Sequence, residues 1–274
     1  MEFYTAPDGR RLAVRVWRAT EPPRAQVVFL HGITSHGGWY TRSCHHLSES
    51  GFDVHFLDRR GSGLNAQHAG DVDRHTTWLT DVTTYLEQLG PERPTVLCGI
   101  SWGGKQAAAV ARFQPGLIHG LALITPGLYS HFEPGVVQRL ALRLPMRQRL
   151  QARKLEIPIQ RGQLYTDTPK WRDYIDRDPL SLREVTFRFA QADNRLTRYA
   201  KQAAPSIHTP TLMMLAGRDR IITNSHCRNY WSRLGARHKT LIEYPTAVHT
   251  LEFDIDAERY FADLADWIGR IAAA

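Results

Sequence analysis

Long apolar runs are missing from this chain of 274 residues. No stretch approaches the run of about 20 apolar residues that crosses a bilayer. Residues 1–7 carry neither a basic n-region nor an apolar h-region, so a cytoplasmic protein is expected rather than one exported by a standard signal. Cysteine is scarce. Cys44, Cys98 and Cys227 cannot all pair and match no zinc spacing, which predicts reduced thiols, with Cys98 filling core space in a strand. His45 and His46 have no second ligand cluster near them in sequence, and no metal is expected. Repeats and low-complexity tracts are also absent. Acidic residues are the minority charge, 27 against 35 basic ones, for a net of +8. With 42% hydrophobic and 23% charged residues the chain falls in the ordinary globular range, away from disordered or fibrous classes.

What is present centres on Gly99-Ile100-Ser101-Trp102-Gly103-Gly104, which follows the apolar run Thr95-Val96-Leu97-Cys98 and precedes a helix expected over 105–113. A serine between two glycines at a strand-to-helix junction is a nucleophile elbow, because so sharp a turn crowds the backbone on both sides and lifts the hydroxyl above the sheet edge. A serine hydroxyl is a poor nucleophile at neutral pH and needs a histidine base oriented by a carboxylate. Both follow in the order the motif requires. The strand-like run 211–216 ends in Gly217-Arg218-Asp219, and the strand 240–244 ends in Pro245-Thr246-Ala247-Val248-His249, ahead of a helix over 257–271. Open α/β sheets gather their sites at the carboxyl ends of strands, so Ser101, Asp219 and His249 converge. After the strand 26–30, Gly32 permits a tight turn that lets the Ile33 N–H face the site, and the Trp102 N–H is the second donor of an oxyanion hole. His31 is read as a structural brace for that loop.

The remaining pattern alternates strand and helix. Residues 12–17 read as an edge strand and 53–57 as the next core strand. A helix over 76–89 places Trp78, Val82, Tyr85, Leu86 and Leu89 on one side, and 120–124 reads as another strand. This rhythm predicts a mostly parallel, doubly wound sheet. It stops near Tyr129 and resumes at Thr209. Residues 129–205 are helix-like and hold twelve Arg and three Lys against five Asp and three Glu, so nearly all the excess positive charge sits there. Asp178-Pro179 reads as a helix start, an N-cap carboxylate followed by proline at the first position, with the helix running through Leu182, Val185, Phe189 and Leu196 to about Gln202. Val136, Leu140 and Leu144 recur every four residues, as do Arg139, Arg143 and Arg147, with Pro145 as a break. That basic face is either an element gripping anionic lipid headgroups or an acidic substrate, or a solvated face paired with Asp173, Asp176 and Glu184, with its apolar residues packed on the core. No nucleic-acid motif accompanies it.

Taken together, these motifs resemble those of the α/β-hydrolases, and the chain is most similar to the group of monoacylglycerol lipases, lysophospholipases and serine aminopeptidase-like hydrolases. His31-Gly32-Ile33-Thr34-Ser35-His36-Gly37-Gly38-Trp39-Tyr40 resembles that group's H-G-x-x-x-H-S-x-R-Y segment, and Asp58-Arg59-Arg60-Gly61-Ser62-Gly63 its D-x-R-G-x-G turn. The resemblance implies a hydrolase core over 1–128 and 206–274, a helical cap over 129–205, and substrate contacts at His36 and Trp39. Trp39 stands where the group has arginine, which counts against a glycerol-specific reading. The elbow and the Arg-Gly-Ser-Gly turn also resemble prolyl aminopeptidases, but their H-G-G-P-G segment is absent. A serine at the nucleophile position disfavours an aspartate-nucleophile dehalogenase or epoxide hydrolase.

The expected function is therefore a cofactor-independent serine hydrolase acting on esters of small or lipid-like acyl compounds. Ser101 attacks the carbonyl, His249 carries the proton, Asp219 orients His249, and the N–H groups of Ile33 and Trp102 hold the oxyanion. An aminopeptidase-like amidase, an acyltransferase and a catalytically silent binding module are the alternatives.

Overall fold

Five apolar runs of the sequence become strands in which every residue is buried, as a parallel sheet covered on both faces demands. The computed structural model describes residues 1–144 and 147–274. In chain order the first half comprises β1 (Glu2–Thr5), β2 (Arg11–Trp17), β3 (Ala25–Leu30), α1 (Thr41–Glu49), β4 (Phe52–Leu57), α2 (His75–Leu89), β5 (Thr95–Ile100), α3 (Trp102–Phe113) and β6 (Gly120–Ile124). There follow α4 (Val136–Ala141), α5 (Gln148–Gln151), β7 (Lys154–Glu156), α6 (Pro169–Arg177), β8 (Glu184–Thr186) and α7 (Phe187–Lys201). The chain then returns through β9 (Thr211–Ala216), α8 (Asn224–Ser232), β10 (Lys239–Tyr244) and α9 (Ala257–Ala272).

Eight strands form one sheet in the order β1-β2-β4-β3-β5-β6-β9-β10, antiparallel at β1/β2 and β2/β4 and parallel thereafter. This is the α/β-hydrolase fold. Register aligns the carboxyl ends: Leu30 lies beside Gly99, Ile100 beside Ile124, and Ala216 beside Tyr244. The loops after β3, β5, β9 and β10 consequently open on one rim of the sheet. Helix α1 packs on α9, and α2 packs on α3. Among the described residues no helix is long and apolar enough to cross a membrane.

Between β6 and β9 the local structure corrects several expectations, and a further correction falls at the sheet's edge. Residues 12–17 are not the edge: β2 lies inside, and the short, largely exposed β1 covers it. No helix starts at Asp178. One carboxylate oxygen accepts the Leu180 N–H at 2.9 Å while the other is held by His36, Trp39 and Ser181, and the Leu182 N–H leaves the helical path to donate to the Thr34 carbonyl at 2.9 Å. Residues 184–186 instead pair with β7, and α7 begins after Thr186, whose hydroxyl accepts the Phe189 N–H at 3.0 Å. Leu182, Val185, Phe189 and Leu196 are all buried, yet they sit on a loop, a strand and a helix in succession. The apolar positions Val136, Leu140 and Leu144 also differ from expectation. They are 67%, 52% and 61% exposed rather than packed on the core. Arg139 pairs with Glu133 at 3.3 Å, not with Asp173, Asp176 or Glu184. The break assigned to Pro145 lies outside the described residues. Helix α7 packs across α2 and α3, joining the insertion to the sheet's helical cover.

Candidate active site

Ser101 follows β5 with φ +52° and ψ −118°, a positive-φ conformation that few non-glycine residues adopt and that is tolerated only where the surroundings enforce it. Here they do. Ser101 N–H donates to the Ile124 carbonyl at 2.9 Å, while the Ser101 carbonyl accepts from Gly104 at 2.8 Å and Gly127 at 2.6 Å. A Cβ at Gly103 would lie 2.1 Å from the Leu30 oxygen, and one at Gly99 2.4 Å from the Gly103 oxygen. Both glycines of the motif are thus steric requirements of α3 crossing so close to β3 and β5.

Asp219 is fixed by its own turn. One carboxylate oxygen accepts the N–H groups of Ile221 and Ile222 at 2.8 and 2.9 Å. The other lies 2.8 Å from His249 Nδ1. Two backbone bonds, Gly217 to the Tyr244 carbonyl and Arg218 to the Ala247 carbonyl, tie the loop after β9 to the loop after β10 and so hold the two side chains together. His249 Nε2 is 2.8 Å from Ser101 Oγ. Because a carboxylate only accepts, Nδ1 carries the proton, which leaves Nε2 to accept from the serine hydroxyl. The His249 and Asp219 side chains are 2% and 0% exposed, so this chain of bonds acts without competition from bulk water. Asp254, the nearest alternative acid in sequence, accepts from the Asp256 N–H instead.

Both expected oxyanion donors are free. Among the described residues neither the Ile33 N–H nor the Trp102 N–H has a hydrogen-bond acceptor, and Trp102 is the first residue of a twelve-residue helix, where the positive end of the dipole lies. Gly32 packs against Ser101, so closely that a Cβ at Gly32 would stand 3.5 Å from the serine Cβ. His31 braces the loop from behind: Nδ1 bonds the Gly32 carbonyl at 2.7 Å and Nε2 accepts the Arg59 N–H at 2.8 Å. Burial and the neighbouring Arg59 hold its imidazole well below the usual value, hence neutral.

His36 and Trp39 are placed differently from their sequence assignment as substrate contacts. His36 Nε2 and Trp39 Nε1 both reach the Asp178 carboxylate, at 3.0 and 2.6 Å, and both side chains are buried. Trp39 is one ring removed from the triad: it meets Tyr165 edge-on at 5.6 Å, and Tyr165 meets His249 at 5.9 Å. Tyr165, from the insertion, was not evident from sequence; its hydroxyl donates to the Ile159 carbonyl at 2.6 Å and lies 2.9 Å from Thr34 Oγ1. Equally hidden was the tether between α3 and α7, where Asp193 takes the Trp102 indole N–H and the Lys105 ammonium, each at 2.6 Å. With these elements in place Ser101 is only 8% exposed. A cleft of about 640 Å³ lined by Arg60, Asp81, Asp71 and Arg188 lies apart from the triad, and its charges pair with one another.

A serine hydroxyl, an imidazole within hydrogen-bond reach of it, a buried carboxylate and two N–H groups without an acceptor among the described residues form an arrangement that can carry out acyl transfer. The sequence profile of the family described as serine aminopeptidase, S33, matches residues 21–256, a span that includes all of them. The chain belongs to this family. It is an α/β-hydrolase of the monoacylglycerol lipase group, and it is similar to the monoglyceride lipase of Homo sapiens, 25% identical over 97% of this chain and 89% of that one. Lysophospholipase L2 of Escherichia coli K12 is 24% identical over 81% of this chain and 73% of its own length. Among solved structures, the monoacylglycerol lipase of Paleococcus ferrophilus superposes with a TM-score of 0.85 at 22% identity, covering 100% of this chain and 99% of that one.

Proposed function

We propose that this hydrolase cleaves carboxylic esters of small or lipid-like acyl compounds through an acyl-enzyme on Ser101. The observation that carries the reading is the continuous line Ser101 Oγ, His249 Nε2, His249 Nδ1, Asp219 Oδ2, with both contacts at 2.8 Å. His249 takes the serine proton as Ser101 attacks the carbonyl, and the Ile33 and Trp102 N–H groups receive the oxyanion. The imidazolium, stabilised by Asp219, then protonates the leaving alcohol, and the same base activates the water that releases the acid. Nothing in these steps calls for a metal or organic cofactor.

Residues 129–205 act in this reading as a cap over the core formed by 1–128 and 206–274. Tyr165 against His249 supports that role, and so does the low exposure of Ser101, which requires the cap to shift before substrate arrives. The exposed Val136, Leu140 and Leu144 beside Arg139, Arg143 and Arg147 fit contact with an anionic lipid surface. The three buried, unpaired cysteines fit a reducing cytoplasm. The name of the family keeps an amidase as the second reading.

Labelling by a fluorophosphonate probe, in the native protein and in Ser101→Ala, tests the nucleophile. A panel of nitrophenyl esters of graded chain length, run with a monoacylglycerol and aminoacyl nitroanilides, tests the substrate class. An unlabelled native protein would remove the hydrolytic mechanism altogether.

A further inference from the structure

Arg59 occupies the unspecified position of the D-x-R-G-x-G turn, and it is a buried cation with no carboxylate in ion-pair contact among the described residues. The two acids whose charge acts on it hold other partners, Asp58 with Arg15 and the N–H groups of Gly37 and Leu64, and Asp193 with Lys105 and Trp102. The guanidinium donates instead to the carbonyls of Gly32, at 3.2 Å, and Ile33, at 2.9 Å, and to Ser62 Oγ at 2.8 Å. Its Nε is buried without a partner. Its central carbon stands 4.3 Å from the centre of the Trp102 ring. Arg59 therefore touches both segments that supply oxyanion donors.

Geometry gives these contacts a consequence. In a trans peptide the carbonyl of one residue and the N–H of the next point in opposite directions. Holding the Gly32 carbonyl thus turns the Ile33 N–H away from the guanidinium, and stacking on the Trp102 ring fixes the residue whose N–H is the second donor. A buried cation without a counter-ion is costly in the resting enzyme, whereas negative charge appearing on the substrate oxygen lowers that cost only as the transition state forms.

We propose that Arg59 is a positioning residue of the oxyanion hole, aiming the Ile33 and Trp102 N–H groups and favouring negative charge between them. The proposal rests on the reading of Ser101 as nucleophile. Burial lowers the guanidinium to about 9, so the group remains a cation at neutral pH.

The test uses Arg59→Met, which keeps the aliphatic stem, and Arg59→Lys, which keeps the charge but loses the two-armed reach. Reactive serine is titrated with a fluorophosphonate, and kcat is expressed per titrated serine on 4-nitrophenyl butyrate. The inhibition constant of a trifluoromethyl ketone, which binds as a charged tetrahedral adduct, is measured beside KM. For Arg59→Met, kcat is expected to fall about 10- to 100-fold, less than or equal to the loss from deleting a donor itself. KM should stay within about threefold while the ketone weakens in step with kcat/KM. Arg59→Lys should lie between native and Met, with kcat down about tenfold. A purely structural brace would lower the melting temperature and the titratable fraction while leaving kcat per titrated serine and the ketone-to-KM ratio unchanged. That outcome, in whichever variant folds, overturns the proposal while the native protein is still labelled at Ser101; a native protein that is not labelled removes both readings.

Discussion

The carboxylate of Asp178 lies 2.6 Å from the indole nitrogen of Trp39, across 139 residues of chain. The same carboxylate oxygen takes His36 Nε2 at 3.0 Å and the Ser181 hydroxyl at 3.1 Å, and the other takes the Leu180 N–H at 2.9 Å. One acid thus fastens the insertion to the loop that follows the oxyanion segment. Burial alone would raise its pKa, but the bonds from His36, Trp39 and Leu180 outweigh burial and hold it at about 2.

Removing that fastening should destabilise the fold. Asp178→Ala leaves the buried Trp39 and His36 nitrogens without their acceptor, which is expected to cost about 2–4 kcal/mol. Asp178→Asn keeps one acceptor and should cost less. Chemical denaturation of the three proteins checks the order, and an alanine variant as stable as the native protein would show that the contact contributes nothing.

For the triad, Ser101→Ala and His249→Ala should each lower turnover by about 10⁴- to 10⁶-fold with little change in melting temperature, because the residues act as a unit. Asp219→Asn should lose about 10⁴-fold, since the amide favours the wrong imidazole tautomer. Asp254 does not contact His249, so it offers no rescue. An Asp219→Asn variant with native kcat would mean that another acid orients the histidine.

The convergence of Ser101, Asp219 and His249 was legible in sequence because each is a local event: a glycine-flanked serine after an apolar strand, an acid and a histidine each in the loop beyond another strand. Local rules failed where partners come from far away. Asp178-Pro179 has the residues of a helix start, and one carboxylate oxygen does accept the Leu180 N–H, but the other is held by Trp39 and His36 and the Leu182 N–H goes to the Thr34 carbonyl, so the chain makes one turn and leaves the helical path. Nor does the sequence around Trp39 point to its partner Asp178, which is 139 residues distant. Residues 2–5 gave no strand pattern because a short edge strand needs only one buried position, Tyr4.

Substrate preference should favour esters over prolyl nitroanilides in kcat/KM by a wide margin. The H-G-G-P-G segment is absent, and no obvious acidic clamp for a free amino terminus is evident in the sequence. Steady-state rates on matched ester and anilide pairs measure this. A prolyl anilide cleaved better than every ester in the panel would establish the amidase reading.

Stability should also fall as pH rises from about 4.5 toward neutrality, because of Glu252. It is 1% exposed, one oxygen takes the N–H groups of Arg42 and Ser43 at 3.0 and 3.1 Å, and the other has no partner. Burial pushes the carboxyl up from 4.5 to about 7 despite those bonds. A folded-state value above the unfolded one means the native protein binds the extra proton between those limits, so stability declines with pH across about 4.5 to 7, by on the order of 3 kcal/mol, and is flat at this site beyond. Glu252→Gln has no proton to lose. Its melting temperature relative to native should therefore climb from pH 5 to pH 7.5; a constant difference would rule out the shift.

The exposed apolar and basic residues of the insertion decide the last expectation. Val136, Leu140 and Leu144 present apolar surface, and among the described residues neither Arg143 nor Arg147 has an ion-pair partner, whereas Arg139 is held by Glu133. If this face meets anionic lipid, binding to phosphatidylglycerol vesicles should weaken as salt rises, since exposed charges are screened over about 8 Å at physiological ionic strength. Reversing the three arginines to glutamate should abolish that binding while hydrolysis of a short soluble ester continues, because the triad stands on loops of the sheet rather than on this face. Vesicle sedimentation across a salt series separates the outcomes: equal and negligible binding by native and charge-reversed proteins means that the face is merely solvated, and salt-insensitive binding lost only on changing Leu140 and Leu144 to serine would assign the contact to apolar insertion instead of charge.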